Sequence, residues 1–295
     1  VLREPKRVKY ALIEEHHGQF SVVLMCRVLG VSRAGFYRWR DRPESARQAR
    51  RVAMKELVAD TWSNFKARYG APRIAQELKA MNAPCSVNYV AELLKVQGLR
   101  ARNGKRFSYG GHPLTMNNVS DNLLRRDFSA LKPNQKWTTD ITYIWIEKKW
   151  MYLATVMDLH SRSIVGWALD NQMTENLVIS AAKMGFDRRG AHEGLVIHSD
   201  RGVQYRSQKY IDFIKRHGAE PSMSRKGNCW DNAPMESFFS RMKVELIYAE
   251  KFDTVRQMKS AVFEYIEVFY NRLRRHSALG YVSPVEFERH AAPAA

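Results

Sequence analysis

The change in residue pattern at Lys136 constrains the fold of this chain more than any other feature of its 295 residues. The sequence upstream has helical periodicity, whereas residues 137–146 (WTTDITYIWI) are rich in the aromatic and β-branched side chains that favour strands. Residues 150–159 and 163–169 have the same character and follow at hairpin spacing. Because antiparallel strands joined by short turns pair with their neighbours, we predict three adjacent antiparallel strands.

Helices and strands alternate after this predicted meander. Amphipathic or apolar segments predict a helix over 175–188, a strand over 194–200, a helix over 208–217 and a strand over 220–223. A long helix is predicted to start near Asn232, and another to span 254–272. This order predicts an α/β domain in which helices flank a mixed five-stranded sheet.

The N-terminal region is predicted to be all-helical and to contain a helix-turn-helix within residues 21–40. An apolar helix ends at Gly30, and Ser32 is a good N-cap for a second helix that starts at Arg33. In a helix-turn-helix this second helix enters the DNA major groove, although an ordinary helical hairpin would have the same pattern. The basic side chains predicted to face DNA are Arg33, Arg38 and Arg40.

Residues 69–99 repeat the helix-turn-helix pattern, with Ser86 as the cap of the second helix and Gly98 at its end. The basic, glycine-containing stretch 100–113 that follows could track a phosphate backbone or could be a flexible solvated linker. Its candidate DNA-binding residues are Arg100, Arg102, Lys105 and Arg106. The predicted domains are 1–45, an N-terminal helix-turn-helix; 46–105, a second helical DNA-binding segment; 106–130, a linker; and 131–290, the α/β domain with C-terminal helices.

The charge balance also predicts a nucleic-acid partner. Forty-eight Lys and Arg residues stand against 30 Asp and Glu, a formal net charge of +18. Such an excess indicates nucleic acid first and an anionic membrane surface second, although charge alone also fits a merely basic globular protein. No apolar run of about 18 residues and no signal peptide are present, so we expect a cytoplasmic protein without a membrane partner. The three cysteines, Cys26, Cys85 and Cys229, lack the spacing of a zinc site.

Asp140 conflicts with the strand in which it lies. Thr138 and Thr142 flank it on one strand face, because alternate residues point to the same side. A mid-strand Asp is disfavoured by propensity and costly to bury unless it is paired or binds a metal. The sequence therefore favours a functional carboxylate, with an Asp paired to Lys or Arg as the alternative.

Two further carboxylates complete a candidate metal site. Asp200 follows the predicted strand LVIHS, at the end of a sheet strand where open sheets bind ligands; a turn-initiating Asp is the alternative. Glu236 lies on a helix that Asp231 or Asn232 could cap, on one face with Lys243; the alternative is a solvated helix. Three carboxylates on different elements can hold two Mg²⁺ ions for phosphoryl transfer.

Two other polar residues have weaker claims to function. Asp158 is expected to pair with Arg162 or to form the turn before the third strand. His198 could contact a substrate, but a packed residue at the end of a strand is the more ordinary interpretation.

At these carboxylates the chain resembles the OrfB-type transposases of the bacterial insertion-sequence-three family, which belong to the D-D-E superfamily with retroviral integrases. The matching segments are WTTDITYI around Asp140, IHSDRGVQY around Asp200 and WDNAPMESFFSRMKVE around Glu236. Positions 200 and 236 leave the superfamily's 35 intervening residues, and Lys243 stands where the family carries a basic residue. The tail 270–288 and the segments YGAPRIAQEL and VQGLRAR also resemble the family.

This resemblance implies an RNase H-like catalytic core with Asp140, Asp200 and Glu236 as catalytic and metal-binding residues. Asp140 would bridge two Mg²⁺ (or Mn²⁺) ions, Asp200 would bind one of them and Glu236 the other, while Lys243 would contact the DNA backbone. The implied reaction is cleavage and strand transfer at the terminal inverted repeats of the element, into target DNA. We also expect a homo-oligomer on DNA, association with the bacterial nucleoid, and an OrfA partner or fusion.

Three functions remain open at this point. The chain could be a transposase, an RNase H-fold nuclease such as a junction resolvase, or a catalytically idle copy that acts as a DNA-binding repressor. Two helix-turn-helix candidates and the +18 charge argue against a free-standing RNase H. The absence of a heptad pattern and the presence of Val at position 1 lead us to expect the downstream OrfB product alone.

Overall fold

The computed structural model describes residues 4–43, 45–102, 119–125, 127–225 and 232–291. The chain divides into two compact units, Val1–Asp60 and Thr61–Ala295. The helices that begin in the first unit are α1 (Lys6–His16), α2 (Val22–Leu29), α3 (Arg33–Arg40) and α4 (Ala46–Asn64), the last of which continues past the division. Because this division falls inside α4, the domain boundaries from the sequence stay a prediction.

The first unit has its own small core, in which α1, α2 and α3 surround Phe36, a fully buried side chain. Gly30 ends α2 in the left-handed conformation, with φ of 64°, which glycine adopts without steric cost. Ser32 then caps α3, because its Oγ accepts a hydrogen bond from the backbone N–H of Gly35 at 3.0 Å. The helices and the turn predicted for this segment are therefore confirmed.

In the part of the second unit that the structure describes, the end of α4 is followed by two helices and then by the sheet with its covering helices. The elements up to the sheet's edge are α5 (Ala71–Ala80), α6 (Val87–Val96), β1 (Lys136–Ile146), β2 (Lys149–Asp158), β3 (Ile164–Asp170), α7 (Glu175–Arg189), β4 (Leu195–Ser199), α8 (Gln208–Arg216) and β5 (Ala219–Met223). The remaining elements are α9 (Ala233–Met242), a π-helical turn (Lys243–Ile247), α10 (Val255–Phe263), a π-helical segment (Glu264–Leu273), a 3₁₀ turn (Ser277–Leu279) and α11 (Pro284–Ala291).

The five strands form one mixed sheet in the order β3-β2-β1-β4-β5. Strands β1, β2 and β3 are antiparallel neighbours, whereas β4 pairs parallel to β1, and β5 pairs parallel to β4. Parallel neighbours need a crossover connection, and α8 supplies it between β4 and β5. The predicted mixed five-stranded sheet flanked by helices is confirmed.

Helix α7 lies unusually close to β3 because Gly166 has no side chain. A Cβ atom at Gly166 would stand 2.1 Å from the carbonyl oxygen of Ala181 and 2.7 Å from the backbone nitrogen of Gly185. Helices α7 and α8 bury the core formed with Trp137 on this side of the sheet. The residues of β1 that alternate with Trp137 point to the opposite face of the sheet. This face carries Asp140 and packs against α9.

A buried ion pair joins the C-terminal elements to one another. Arg274 donates to both carboxylate oxygens of Glu245, at 3.1 and 2.9 Å, and the hydroxyl of Tyr265 donates to the same carboxylate at 2.8 Å. The side chains of Arg274 and Glu245 are 4% and 3% exposed. Burial and the charge of Glu245 raise the pKa of the Tyr265 hydroxyl well above its ordinary value, so this hydroxyl remains a donor.

The helices α5 and α6 belong to the same compact unit as the sheet. Arg275 donates to both carboxylate oxygens of Glu77 in α5, at 2.6 and 3.0 Å. Tyr69 donates to the carbonyl oxygen of Leu273 at 3.2 Å, and Arg73 donates to that of Arg275 at 2.8 Å. The C-terminal segment and the second helical segment therefore hold each other through charge-assisted hydrogen bonds.

Asp158 forms the turn before β3, as one of its two interpretations predicted. Its carboxylate accepts hydrogen bonds from the backbone N–H groups of Asn134 and His160, at 2.8 and 2.9 Å.

None of the helices that the structure describes is long and apolar enough to cross a membrane.

Replacing Arg274 by Met should lower the free energy of unfolding by about 3–5 kcal/mol, because the Glu245 carboxylate would stay buried without its cation. Urea denaturation of the full chain at pH 7 measures this loss. The matched control is Lys183→Met, whose partner Asp187 is 60% exposed and whose loss should cost under about 1 kcal/mol. Equal losses in the two variants would contradict a stabilising role for the buried pair.

Candidate active site

The candidate site lies where β1 and β4 separate. Their parallel pairing includes Thr138↔His198 and extends no further. Strand β1 continues to Asp140, and β4 ends at Ser199, immediately before Asp200. Asp200 thus stands at the C-terminal end of a parallel strand, the edge at which sheets of this kind bind ligands. Asp140 lies inside β1, two residues beyond the last pair with β4.

Asp140 is partly buried, and the pKa of its carboxyl group lies well above the ordinary value. The first cause is burial, followed by the negative charges of Asp200 and Glu236. Two effects oppose this rise: the backbone N–H of Ile141 donates to Asp140 Oδ1 at 2.8 Å, and Lys243, at the start of the π-helical turn, contributes a positive charge. The charges of Asp200 and Glu236 therefore both act on Asp140.

Asp200 is held by the loop that follows it. Its Oδ1 accepts the backbone N–H of Gly202 at 2.8 Å, and a Cβ atom at Gly202 would itself stand 2.8 Å from that oxygen. Asp200 keeps access to solvent. Burial of its carboxylate raises its pKa, and the N–H of Gly202 and the positive charge of Arg206 offset only part of this rise. A glycine at position 202 therefore lets the loop close on the carboxylate.

Glu236 lies in the first turn of α9, and its side chain is exposed. Partial burial of the carboxyl group raises its pKa. Lys243 begins the π-helical turn that follows α9 and is only 7% exposed. The structure thus places Lys243 in the protein interior, where its charge acts on Asp140, and its predicted contact with DNA stays a prediction.

Asn232 has a different role from the one that the sequence predicted. It occupies the N-cap position of α9, but its side chain makes no capping hydrogen bond. The hydroxyl of Thr138 instead donates to Asn232 Oδ1, and Asn232 Nδ2 donates to the carbonyl oxygen of Thr139 at 3.2 Å. Asn232 therefore stands at the predicted N-cap position, while its side chain bonds to β1 and not to the first turn of α9. Asp231, the other predicted cap, lies outside the described residues.

Tyr205 was not singled out from the sequence, although it belongs to the segment after Asp200. Its hydroxyl lies 3.1 Å from Thr139 Oγ1, and the residue is 1% exposed. Burial, and next the charge of Asp140, raise the pKa of Tyr205 well above its ordinary value. The signal available beforehand was a large polar aromatic residue five positions after a candidate carboxylate.

His198 is a packed residue at the end of β4, as its ordinary interpretation predicted. It is fully buried, and its ring nitrogens lie 2.9 Å from Ser222 Oγ and 3.1 Å from Ser224 Oγ. These contacts join β4 to the end of β5.

The three carboxylates offer hard oxygen ligands of the kind that Mg²⁺ prefers. The charges of Asp200 and Glu236 repel the charge of Asp140, and a divalent cation would relieve this repulsion. Within the described ranges, however, no three His, Cys, Asp or Glu side chains are gathered closely enough to hold a metal ion. The chemistry of the three carboxylates therefore suits a divalent metal ion, while the side chains stand further apart than the ligands of a formed metal site.

The candidate DNA-binding residues differ in their exposure and in their contacts within the protein. Arg33 and Arg38 are exposed on α3, and Arg40 pairs with Asp41 at 2.9 Å. Arg100 is exposed, whereas the guanidinium of Arg102 donates to the carbonyl oxygen of Glu245 and to the Glu250 carboxylate. The predicted residues Lys105 and Arg106 lie outside the described residues.

Family comparisons agree with the fold. A family described as "Integrase core domain" matches residues 130–229, a second family of the same description matches 236–291, and "HTH-like domain" matches 48–107. Together with the sheet order, these matches define an RNase H-like integrase core preceded by a helix-turn-helix-like domain.

Comparison with curated proteins identifies the family within this class of proteins. The chain is 46% identical over 286 residues to "Transposase InsF for insertion sequence IS3A" of Escherichia coli (strain K12), which covers 95% of this chain and 98% of that protein. It is 37% identical to the "Insertion element IS600 uncharacterized 31 kDa protein" of Shigella sonnei, over 89% of this chain and 97% of that protein. The chain belongs to the insertion-sequence-three (IS3) family of transposases.

Solved structures with a similar chain path include two from retroviruses. A chain of the simian T-cell lymphotropic virus intasome has a TM-score of 0.47 and 15% identity, over 80% of this chain and 75% of that chain. The magnesium complex of the HTLV-2 integrase catalytic core (trimeric form) has a TM-score of 0.42 and 18% identity, over 54% and 98%. The family assignment depends on the sequence relatives alone.

Replacing Asp140 by Asn should stabilise the metal-free protein at pH 7 and have little effect at low pH. The pKa of Asp140 is raised in the folded state, so its carboxyl group destabilises the fold increasingly as the pH rises from the ordinary pKa, and fully above the raised pKa. Below the ordinary pKa the group is protonated in both the folded and the unfolded state, and the cost is absent. Thermal denaturation in EDTA at several pH values measures the difference in midpoint between variant and wild type. A difference that stays constant, or that grows as the pH falls, would contradict the repulsion described above.

Proposed function

We propose that this chain is a D-D-E transposase that cleaves insertion-sequence ends and joins them to target DNA. The observation that carries the proposal is the position of Asp140, Asp200 and Glu236 at the separation of β1 and β4, in a chain of the IS3 family. Carboxylates from two strands and a helix are the ligands that metal-dependent phosphoryl transfer requires.

In this proposal two divalent ions, Mg²⁺ or Mn²⁺, would be held by the three carboxylates: Asp140 would serve both ions, Asp200 one of them and Glu236 the other. When bound, such ions activate the attacking hydroxyl group and neutralise charge that develops on the phosphate. No side-chain nucleophile is then required, because water or a DNA 3′-hydroxyl attacks. The fold orients the carboxylates, and the loop through Gly202 fixes Asp200.

DNA is the proposed partner, in the form of the terminal inverted repeats and the target. Helix α3 presents Arg33 and Arg38 to solvent, and the net charge of +18 favours a polyanion. A homo-oligomer assembled on DNA and an OrfA partner or fusion belong to the proposal as well. Family membership favours transposition over a free-standing RNase H-fold nuclease, and the presence of all three carboxylates argues against an idle repressor.

The variant Asp200→Asn should lose cleavage and strand transfer on labelled element-end DNA with Mg²⁺ or Mn²⁺, and should still bind that DNA. The expected loss exceeds the roughly 10–100-fold cost of removing an outer-shell partner, because a direct ligand is lost. The control Asp212→Asn makes the same chemical change at an exposed position on α8 and should keep full activity. Undiminished activity of Asp200→Asn would rule out the metal-site assignment, and activity on RNA–DNA hybrids without end preference would favour the nuclease.

The variants Arg33→Gln and Arg38→Gln should weaken binding of element-end DNA. If each arginine contacts one phosphate, the slope of log affinity against log salt should fall by about 1 per substitution. Fluorescence anisotropy at several salt concentrations measures this slope. Lys183→Gln removes one exposed charge from α7 and serves as the control; an equal effect there would show only a dependence on net charge.

A further inference from the structure

Asn232 bridges the strand that carries Asp140 and the helix that carries Glu236. It is 5% exposed and uses both ends of its amide on β1: Oδ1 accepts from Thr138, and Nδ2 donates to the carbonyl oxygen of Thr139. These two strand residues immediately precede Asp140. On the helix side, Glu236 follows Asn232 by four residues, about one helical turn.

The position of this amide along β1 is specific. Parallel pairing of β1 with β4 ends at Thr138↔His198, and the next carbonyl, that of Thr139, receives its hydrogen bond from Asn232. The Asn232 side chain thus continues the hydrogen bonding of β1 just beyond the last residue pair with β4. The Asn232 carboxamide donates and accepts at once, so it satisfies both strand groups as they stand.

The Asn232 amide takes no part in capping the helix through its side chain. N-terminal Asn residues ordinarily accept from the first turn of the helix, whereas Asn232 makes no such bond. A stabilising contact within α9 is replaced by a contact between elements, and that contact fixes where the first turn of α9 stands against β1.

We propose that Asn232 is a positioning residue that sets the separation of Asp140 and Glu236, and with it the affinity of the site for divalent metal ions. This inference rests on the proposed function, because it assumes that these two carboxylates share a metal site. Thr138 is its partner in the role, since its hydroxyl completes the bridge.

The test measures Mn²⁺ binding by the full chain, through calorimetry and through the rise in denaturation midpoint on adding Mn²⁺. Asn232→Ala and Thr138→Val should each weaken binding by about 10–100-fold, the usual cost of losing a partner that orients a metal ligand. Thr138→Ser keeps the hydroxyl and should bind nearly as wild type. Activity on element-end DNA should recover in Thr138→Val at high Mn²⁺ concentration.

Thr155→Val is the matched control. Thr155 lies opposite Asp140 on β2 and is fully buried, and its hydroxyl has no hydrogen-bond partner among the described residues. The same Thr-to-Val change there should leave Mn²⁺ affinity unchanged. A general effect of altering buried threonines near the site would instead appear in both variants.

The outcomes separate this inference from the proposed function. Wild-type Mn²⁺ affinity in folded Thr138→Val and Asn232→Ala, together with its loss in Asp200→Asn, would overturn the positioning role alone. Unchanged affinity in Asp200→Asn, or no binding by the unaltered chain, would overturn the proposed metal site and this inference with it. If Asn232→Ala does not fold, the comparison of the three threonine variants decides.

Discussion

The separation of β1 from β4 after Thr138 is the constraint on which the candidate site depends. As long as two parallel strands are paired, their backbones satisfy each other and leave no room for a ligand. Beyond the last pair the strands diverge, and side chains from both can point into the same space. Asp140 and Asp200 lie at this point, and the start of α9 closes it from the side.

The position of the site also depends on the elements that hold α9. Its far end continues into the π-helical turn, where Glu245 is held by Arg274 and Tyr265. The near end is held through Asn232. A buried ion pair is a demanding way to fix a helix, because each charge must keep its partner, but it leaves little freedom to the segment that carries Lys243.

Much of the architecture could be predicted from the sequence, because periodicity is a local property. Alternation in β1, the cap at Ser32 and the glycine at position 30 each report on their own neighbourhood, and the structure confirms the elements they predicted. The role of Asn232 could not be found in this way. Its sequence context is that of a helix cap, and only the tertiary approach of β1 supplies the competing partners. The burial of Tyr205 was hidden for the same reason.

The ion pair between Arg275 and Glu77 ties the C-terminal segment to a helix that precedes the sheet in the chain. A fragment that began at residue 131 would contain every candidate catalytic residue and yet would lose Tyr69, Arg73 and Glu77. The guanidinium of Arg275 would lose the carboxylate that it grips with two donors, and the carbonyl oxygens of Leu273 and Arg275 would lose their donors. Tyr69 and helix α5 are in this sense part of the frame of the catalytic core.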